Sequence, residues 1–112
     1  VRSRRQRQMC IRDRAMQAGA YQNSTWVVGT AKCGREEGSL MIGQSAIIAP
    51  SGEIVAMATT LEDELVTARC DLDMSKVYRE TFFDFARHRE PQHYGLIVER
   101  KGVGPALNKI AA

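Results

Sequence analysis

The stretch that most restricts what this chain can fold into is residues 45–59, SAIIAPSGEIVAMAT. Two apolar runs flank Pro50-Ser51-Gly52. Proline presets φ for a turn and glycine accepts φ > 0, so the pattern predicts a β-hairpin with strands at 45–49 and 53–59. An isolated hairpin is marginal in water and needs further strands or a covering helix. The rest of the chain is read for those partners.

Residues 25–31, TWVVGTA, are β-branched and aromatic and predict another strand. Residues 34–38, GREEG, read as a polar turn, and the acidic residues 61–64, LEDE, as a loop. Residues 65–72, LVTARCDL, alternate in polarity and predict a fourth strand, which would extend the hairpin into an antiparallel meander. Asp73 stands where a helix N-cap is expected, with a side chain able to accept from the free N–H groups of a first turn. Behind it, residues 74–88 carry Met74, Val77, Tyr78, Phe82, Phe85 and Ala86 at helical spacing, which predicts one helix with one buried face. Pro91 ends that helix; residues 92–100 read as an extended arm or short strand. Residues 101–112, with two glycines, a proline and no period, read as a loose tail. Upstream, residues 15–22, AMQAGAYQ, have the composition of a helix end, broken by Asn23-Ser24. There is no internal repeat.

The expected fold class is therefore α+β: about four strands, one long helix and an extended C-terminal arm. The 112 residues suffice for one small domain and not for two. The segments divide at 1–14, 15–73, 74–100 and 101–112. One helix covers about one face of such a sheet, yet WVV and AIIA offer apolar side chains to both faces. A second layer is expected from outside the chain, which reads as part of a domain and should be poorly soluble alone.

Composition excludes some classes. Hydrophobic content of 44% and charged content of 26% fit a globular protein. No apolar run approaches the roughly 20 residues that span a bilayer, and the basic start is not followed by the apolar stretch of a secretory signal. No membrane partner is expected. Three cysteines without regular spacing argue for a reducing, cytoplasmic compartment rather than a disulfide scaffold. The net charge of +3 hints at a polyanion, but its distribution does not. Residues 1–14 hold six arginines and one aspartate, and the remaining residues carry ten basic against twelve acidic side chains. Without the first 14 residues no basic footprint is left, so no nucleic-acid partner is expected.

Each candidate for chemistry has a plainer reading beside it. Cys33, in AKCGRE, lies between Lys32 and Arg35, and cationic neighbours favour a nucleophilic thiolate; the plainer reading is a small residue at a strand end. Cys70 alternates with Leu72 and reads as strand packing. His88 and His93, separated across Pro91, lack the helical spacing of a metal pair and have no third ligand nearby. Glu62, Asp63 and Glu64 lack the spacers and glycine turn of a calcium loop and read as a solvated loop. Trp26 reads as core, and Gly102-Val103-Gly104 is too short to specify a phosphate loop. These residues do not assemble a nucleophile, a base and an oxyanion stabiliser, so no catalytic, cofactor or metal residue is assigned.

Three strings carry a resemblance: MQAGAYQNSTW, APSGEIVAMATTLEDELVTARCDLD and HREPQHYGLIVER. They resemble the C-terminal third of N-carbamoyl-D-amino-acid hydrolases, in the nitrilase superfamily, from about Ala15 to Glu99. The strand–PSGE–strand–DLD pattern is general to nitrilase-type amidases, whereas TTLEDE and REPQHYGLI look like the D-carbamoylase branch. The resemblance implies an α-β-β-α sandwich and hydrolysis of N-carbamoyl-D-amino acids to D-amino acids, carbon dioxide and ammonia. It implies a cysteine nucleophile, a glutamate base and an oxyanion-stabilising lysine, without metal or cofactor, in a homo-oligomer. All three catalytic residues belong upstream of the matching portion. Cys33-Gly34-Arg35-Glu36 is not the nucleophile motif, in which Asn-Asp-Arg-Arg follows the cysteine. Gln22-Asn23 stands where many relatives have Glu-Asn and is taken as structural. The alternative within the class is a β-ureidopropionase or aliphatic amidase; the alternative outside it is a non-catalytic module with a basic nucleic-acid-binding arm.

The resemblance begins abruptly after the basic run RRQRQMCIRDR, residues 4–14. One back-translation of that run looks like a sequencing-library adapter ending in a transposase recognition sequence. Residues 1–14 are therefore expected to be an adapter-derived addition, disordered or an adventitious helix.

Overall fold

In the computed structural model, which describes residues 4–102, the chain begins on a helix, α1 (Arg4–Gln22). The helix is continuous from the basic run into residues 15–22. It ends on a left-handed residue, Ser24, with φ 51°. Thr25 N–H donates to the Ala20 carbonyl at 3.0 Å and Ser24 N–H to Tyr21 at 3.2 Å, so the helix closes in a Schellman motif. Asn23 adds its backbone N–H (3.1 Å) and its side-chain amide (2.9 Å), both donating to the Gly19 carbonyl. Asn23-Ser24 thus stops the helix as its composition predicts, by satisfying the last carbonyls.

β1 (Val27–Gly29) follows, then a hairpin of β2 (Cys33–Glu36) and β3 (Ser39–Ile42), antiparallel with Cys33 opposite Ile42 and Glu36 opposite Ser39. This corrects the reading of residues 34–38 as a turn. Only Glu37-Gly38 turns, both at positive φ (48° and 78°), which is the backbone a two-residue hairpin loop requires. Charged residues in Gly34-Arg35-Glu36 hid the strand, because this hairpin stands outside the main sheet and neither face needs to be apolar.

The hairpin predicted at 45–59 forms. β4 (Ala46–Ile48) and β5 (Ile54–Met57) pair antiparallel, with a bulge between Ile47 and Ile48. The turn closes through Gly52 N–H to the Ala49 carbonyl (2.8 Å) and Ala49 N–H to Glu53 (2.9 Å), with Gly52 at φ +86°. β1 pairs on the other edge of β4, giving the order β1-β4-β5. The core is small: Ala20 of α1 is buried with Ala46, Ile48, Ala49 and Ala58. Small residues let the helix lie close to the sheet. Met16 packs where a side chain on Gly29 would stand, and the Gln17 amide donates to the Gly52 carbonyl at 2.9 Å.

Downstream the expectations need correction. Residues 65–72 make no ladder, so the predicted fourth strand and its place in a meander are absent. Among the described residues five strands in two sheets replace the expected four. The single helix over 74–88 is two, α2 (Met74–Thr81) and α3 (Phe85–His88). Asp84 divides them: its backbone leaves the helical region and its carboxylate accepts from Arg87 N–H at 3.2 Å, capping a new start. Neither helix has a buried residue, so the apolar face predicted for 74–88 is not buried within this chain. Asp73 occupies the N-cap position without making the cap bond; its N–H instead donates to the Asp71 carboxylate at 3.0 Å. Pro91 opens a 3₁₀ turn (Pro91–His93), and α4 (Gly95–Glu99) stands where an extended arm was expected. Of the predicted tail, residues 103–112 lie outside the described residues, and with them most of Gly102-Val103-Gly104. Residues 1–3 lie outside them too.

Tyr21, at the end of α1, joins the two halves. Its ring meets Phe83 edge-on at 4.9 Å and Tyr78 edge-on at 6.2 Å, with Phe82 at 6.3 Å. No described helix is long and apolar enough to cross a membrane.

Candidate functional site

Among the described residues an opening gathers several of those singled out above. It is an open cleft of about 460 Å³ between the base of the β2–β3 hairpin, the turn at 43–45 and the acidic loop. Lys32 and Cys33 line one side, Gly43 and Ser45 the floor, and Glu62, Asp63 and Glu64 the other side. Local backbone chemistry shapes it. Gly43 and Gln44 both take positive φ (64° and 63°), which turns the chain sharply between β3 and β4. Gly43 N–H donates to the Lys32 carbonyl at 3.1 Å. Ser45 Oγ accepts from Ala31 N–H at 2.9 Å and fastens the chain entering β2.

Cys33 does not keep the cationic company its sequence neighbours suggest. Lys32 Nζ pairs with Glu36 Oε2 at 2.5 Å along the hairpin, and Arg35 is exposed. The thiol donates instead toward Asp63 Oδ1 at 3.8 Å. Glu64 is exposed, as a solvated loop requires, and also acts as a clasp. Its carboxylate accepts from Thr59 N–H (2.8 Å), Thr59 Oγ1 (3.3 Å) and Thr60 N–H (3.4 Å), closing the loop on itself. Glu62 N–H donates to Thr60 Oγ1, which donates back to the Glu62 carbonyl.

The other candidates are dispersed. Cys70 is half-buried on a segment outside any sheet, its Sγ 3.9 Å from the Ala68 carbonyl. His88 and His93 end α3 and the 3₁₀ turn, are exposed, and do not line the cleft. Trp26 is half-buried rather than core, and its Nε1–H donates to the Asp71 carbonyl at 2.9 Å. Gln22-Asn23 belongs to the helix stop, in keeping with a structural role. Arg12 donates to the Gln44 carbonyl at 2.9 Å and pairs with Asp13 at 2.8 Å, so the basic run touches the rim of the cleft.

Chemically, the cleft offers a thiol, carboxylates and a lysine already paired. No imidazole lines it, and among the described residues no three His, Cys, Asp or Glu side chains are grouped to hold a metal. The Cys33–Asp63 contact spans 30 positions of chain, and nothing in the local spacing of either residue announces it. Neither does spacing announce the Ser45 contact to residue 31.

Comparison with known proteins gives this geometry a context. Residues 8–80 match the family described as carbon-nitrogen hydrolase. That match starts inside the basic run, seven residues ahead of Ala15. The chain is 32% identical over 82 residues to a nitrilase of Pyrococcus abyssi, covering 72% of this chain and 31% of that protein. It is 27% identical over 82 residues to a probable nitrilase of Schizosaccharomyces pombe, covering 73% of this chain and 30% of that one. In fold it is similar to a carbon-nitrogen hydrolase from Helicobacter pylori G27, with a TM-score of 0.73 at 23% identity, over 88% of this chain and 36% of that one. The chain therefore spans about a third of the length of the relatives it matches.

Proposed function

Because this chain belongs to the carbon-nitrogen hydrolase family, we propose that it is the C-terminal part of an amidohydrolase that converts N-carbamoyl-D-amino acids to D-amino acids, carbon dioxide and ammonia. The observation that carries the reading is a division of labour. The described residues build scaffold: beside Cys33 the cleft's lysine is taken up by Glu36 and its Glu64 by Thr59 and Thr60, so thiol, lysine and glutamate are not turned on one reacting atom. The chemistry then belongs to polypeptide outside this chain, where the resemblance puts the cysteine nucleophile, the glutamate base and the lysine. In that scheme the thiolate attacks the carbamoyl carbon while the lysine stabilises the oxyanion, the glutamate passes the proton to the ammonia that leaves, and water then cleaves the thioester to return the thiol with carbon dioxide and the D-amino acid. Cys33 is not the nucleophile, and the chain alone is inactive.

The choice of substrate rests on TTLEDE and REPQHYGLI, the strings closest to the D-carbamoylase branch. The complete protein is read as a cytoplasmic homo-oligomer with an α-β-β-α sandwich, acting without a cofactor. Residues 4–14 are read as adapter-derived. Different codons across that run in the underlying DNA would refute the adapter origin.

The test is to restore the full-length gene and assay it on N-carbamoyl-D-, N-carbamoyl-L- and N-carbamoyl-β-amino acids. Turnover of the D-series is expected. Turnover of only the β-series or of simple amides would replace the reading with another nitrilase-type amidase, and turnover by the 112-residue chain itself would overturn it.

A further inference from the structure

The turn at residues 43–45, which floors the cleft, is tied to the rest of the chain in three places. Gly43 N–H donates to the Lys32 carbonyl at 3.1 Å, and Ser45 Oγ accepts from Ala31 N–H at 2.9 Å. Both of these hold the chain entering β2. The third tie comes from α1: Arg12 Nη2–H donates to the Gln44 carbonyl at 2.9 Å, across 32 positions of chain.

Gln44 is the residue of this turn with the greatest need of a tie. Its φ of 63° is left-handed, a conformation that costs a residue bearing a Cβ and costs Gly43 beside it nothing. The guanidinium that reaches Gln44 is aimed beforehand. Arg12 Nε–H and Nη2–H both donate to Asp13 Oδ1, at 3.1 and 2.8 Å. The side chains of Arg12 and Asp13 are 31% and 14% exposed, so these charge-assisted bonds are partly withdrawn from water and from screening by salt. The turn also bears directly on Cys33. A Cβ built on Gly43 would stand 3.1 Å from Cys33 Cβ, so the turn backbone lies against the root of that side chain.

We infer that Arg12 and Asp13 form a latch, holding Gln44 in its left-handed turn and thereby setting how far the Cys33 thiol is open to the cleft. Arg12 is a positioning residue: it acts through Gln44 and Gly43. The latch belongs to the chain as it stands, whatever the origin of residues 4–14 and whatever substrate the full-length enzyme takes.

The test uses the 112-residue chain carrying Cys10→Ser and Cys70→Ser, which leaves Cys33 as the one thiol for an aromatic disulfide reagent. Arg12→Ala should speed labelling of Cys33 at least about threefold and amide exchange of Gly43 at least about tenfold, since both require only local opening of the turn. The amides of Ala49 and Gly52, bonded in the β4–β5 turn, should exchange as before, which separates a lost latch from general unfolding. Asp13→Asn leaves Arg12 in place with a weaker aim and should move both rates the same way by less; it carries the same readings if Arg12→Ala does not fold. A latch also predicts a coupling that a general packing contact does not. In a Gln44→Gly background, where positive φ is free of cost, Arg12→Ala should change either rate by less than about twofold. The inference is overturned if Arg12→Ala leaves Cys33 labelling and Gly43 exchange unchanged, if Ala49 and Gly52 speed up together with Gly43, or if the Gln44→Gly background shows the full effect. None of these outcomes touches the family reading, which depends on turnover by the restored enzyme.

Discussion

Residues 20–58 and residues 59–102 contrast in one respect that governs the rest. The first stretch contains every described residue that is buried, from Ala20 and Ser24 through Ile48 to Ala58. The second contains none, although it carries Leu65, Leu72, Val77, Phe82, Leu96, Ile97 and Val98. Val98 is 86% exposed and Ile48 is 0% exposed. Both stretches are apolar enough to fold. The difference is that the first finds its partners within the chain: β4 between β1 and β5, with α1 laid over small residues. The second has its apolar side chains on short helices and an unpaired segment that no described residue buries. Burial is a property of a pair of surfaces, and composition alone describes only one of them.

Four substitutions sharpen that contrast. The largest effect is expected from Ile48→Ala, which empties the centre of the core among the described residues: a loss of about 3 kcal/mol, read from urea denaturation followed by far-UV circular dichroism. A loss below about 1 kcal/mol would mean that the first stretch is no better packed than the second. Next is Tyr21→Ala, which removes the ring touching Tyr78, Phe82 and Phe83. Each ring pair adds about 0.5–1.5 kcal/mol, so α2 should open more readily by roughly 2 kcal/mol, seen as faster amide exchange over 74–81 with the sheet unaffected. Ser24→Gly works in the other direction. Ser24 is buried, at positive φ, with a hydroxyl that has no partner among the described residues, and glycine removes both costs. A gain of about 1 kcal/mol is expected, measured as a raised denaturation midpoint at unchanged slope. The smallest effect is expected from Val98→Ser, within about 0.5 kcal/mol in stability, with a higher soluble yield as the measurable change. A cost there comparable to Ile48→Ala would show that α4 is packed after all.

Legibility followed the same boundary. The hairpin at 45–59 was readable because turn chemistry and strand composition agree over a few residues. The helix stop at Asn23-Ser24 was readable for the same reason. GREEG misled because Glu37-Gly38 supplies the turn and its polar neighbours only look like more of it. LVTARCDL misled in another way: its alternation is real, and burial follows it, but a strand also needs a neighbour for its backbone. In 74–88 the periodicity was right for helix and silent about the break, which depends on Asp84 preferring to cap Arg87 N–H. At the cleft, Cys33 was legible as a thiol of interest, while its true neighbour was not.

What the sequence determined by itself is everything that is decided within a few residues: the Pro50-Ser51-Gly52 hairpin, the end of α1, the start at Met74, and the strings that place the chain in its family. Only the tertiary structure decided that Asp63 faces Cys33, that Tyr21 meets Tyr78 of α2 and the Phe82 and Phe83 that follow it, and that 65–70 stay unpaired among the described residues. The physical reason is range. Turns and caps are settled by φ preferences and by hydrogen bonds to nearby backbone, which any one stretch carries with it. Pairing and burial depend on what a distant surface presents, which no single stretch carries with it.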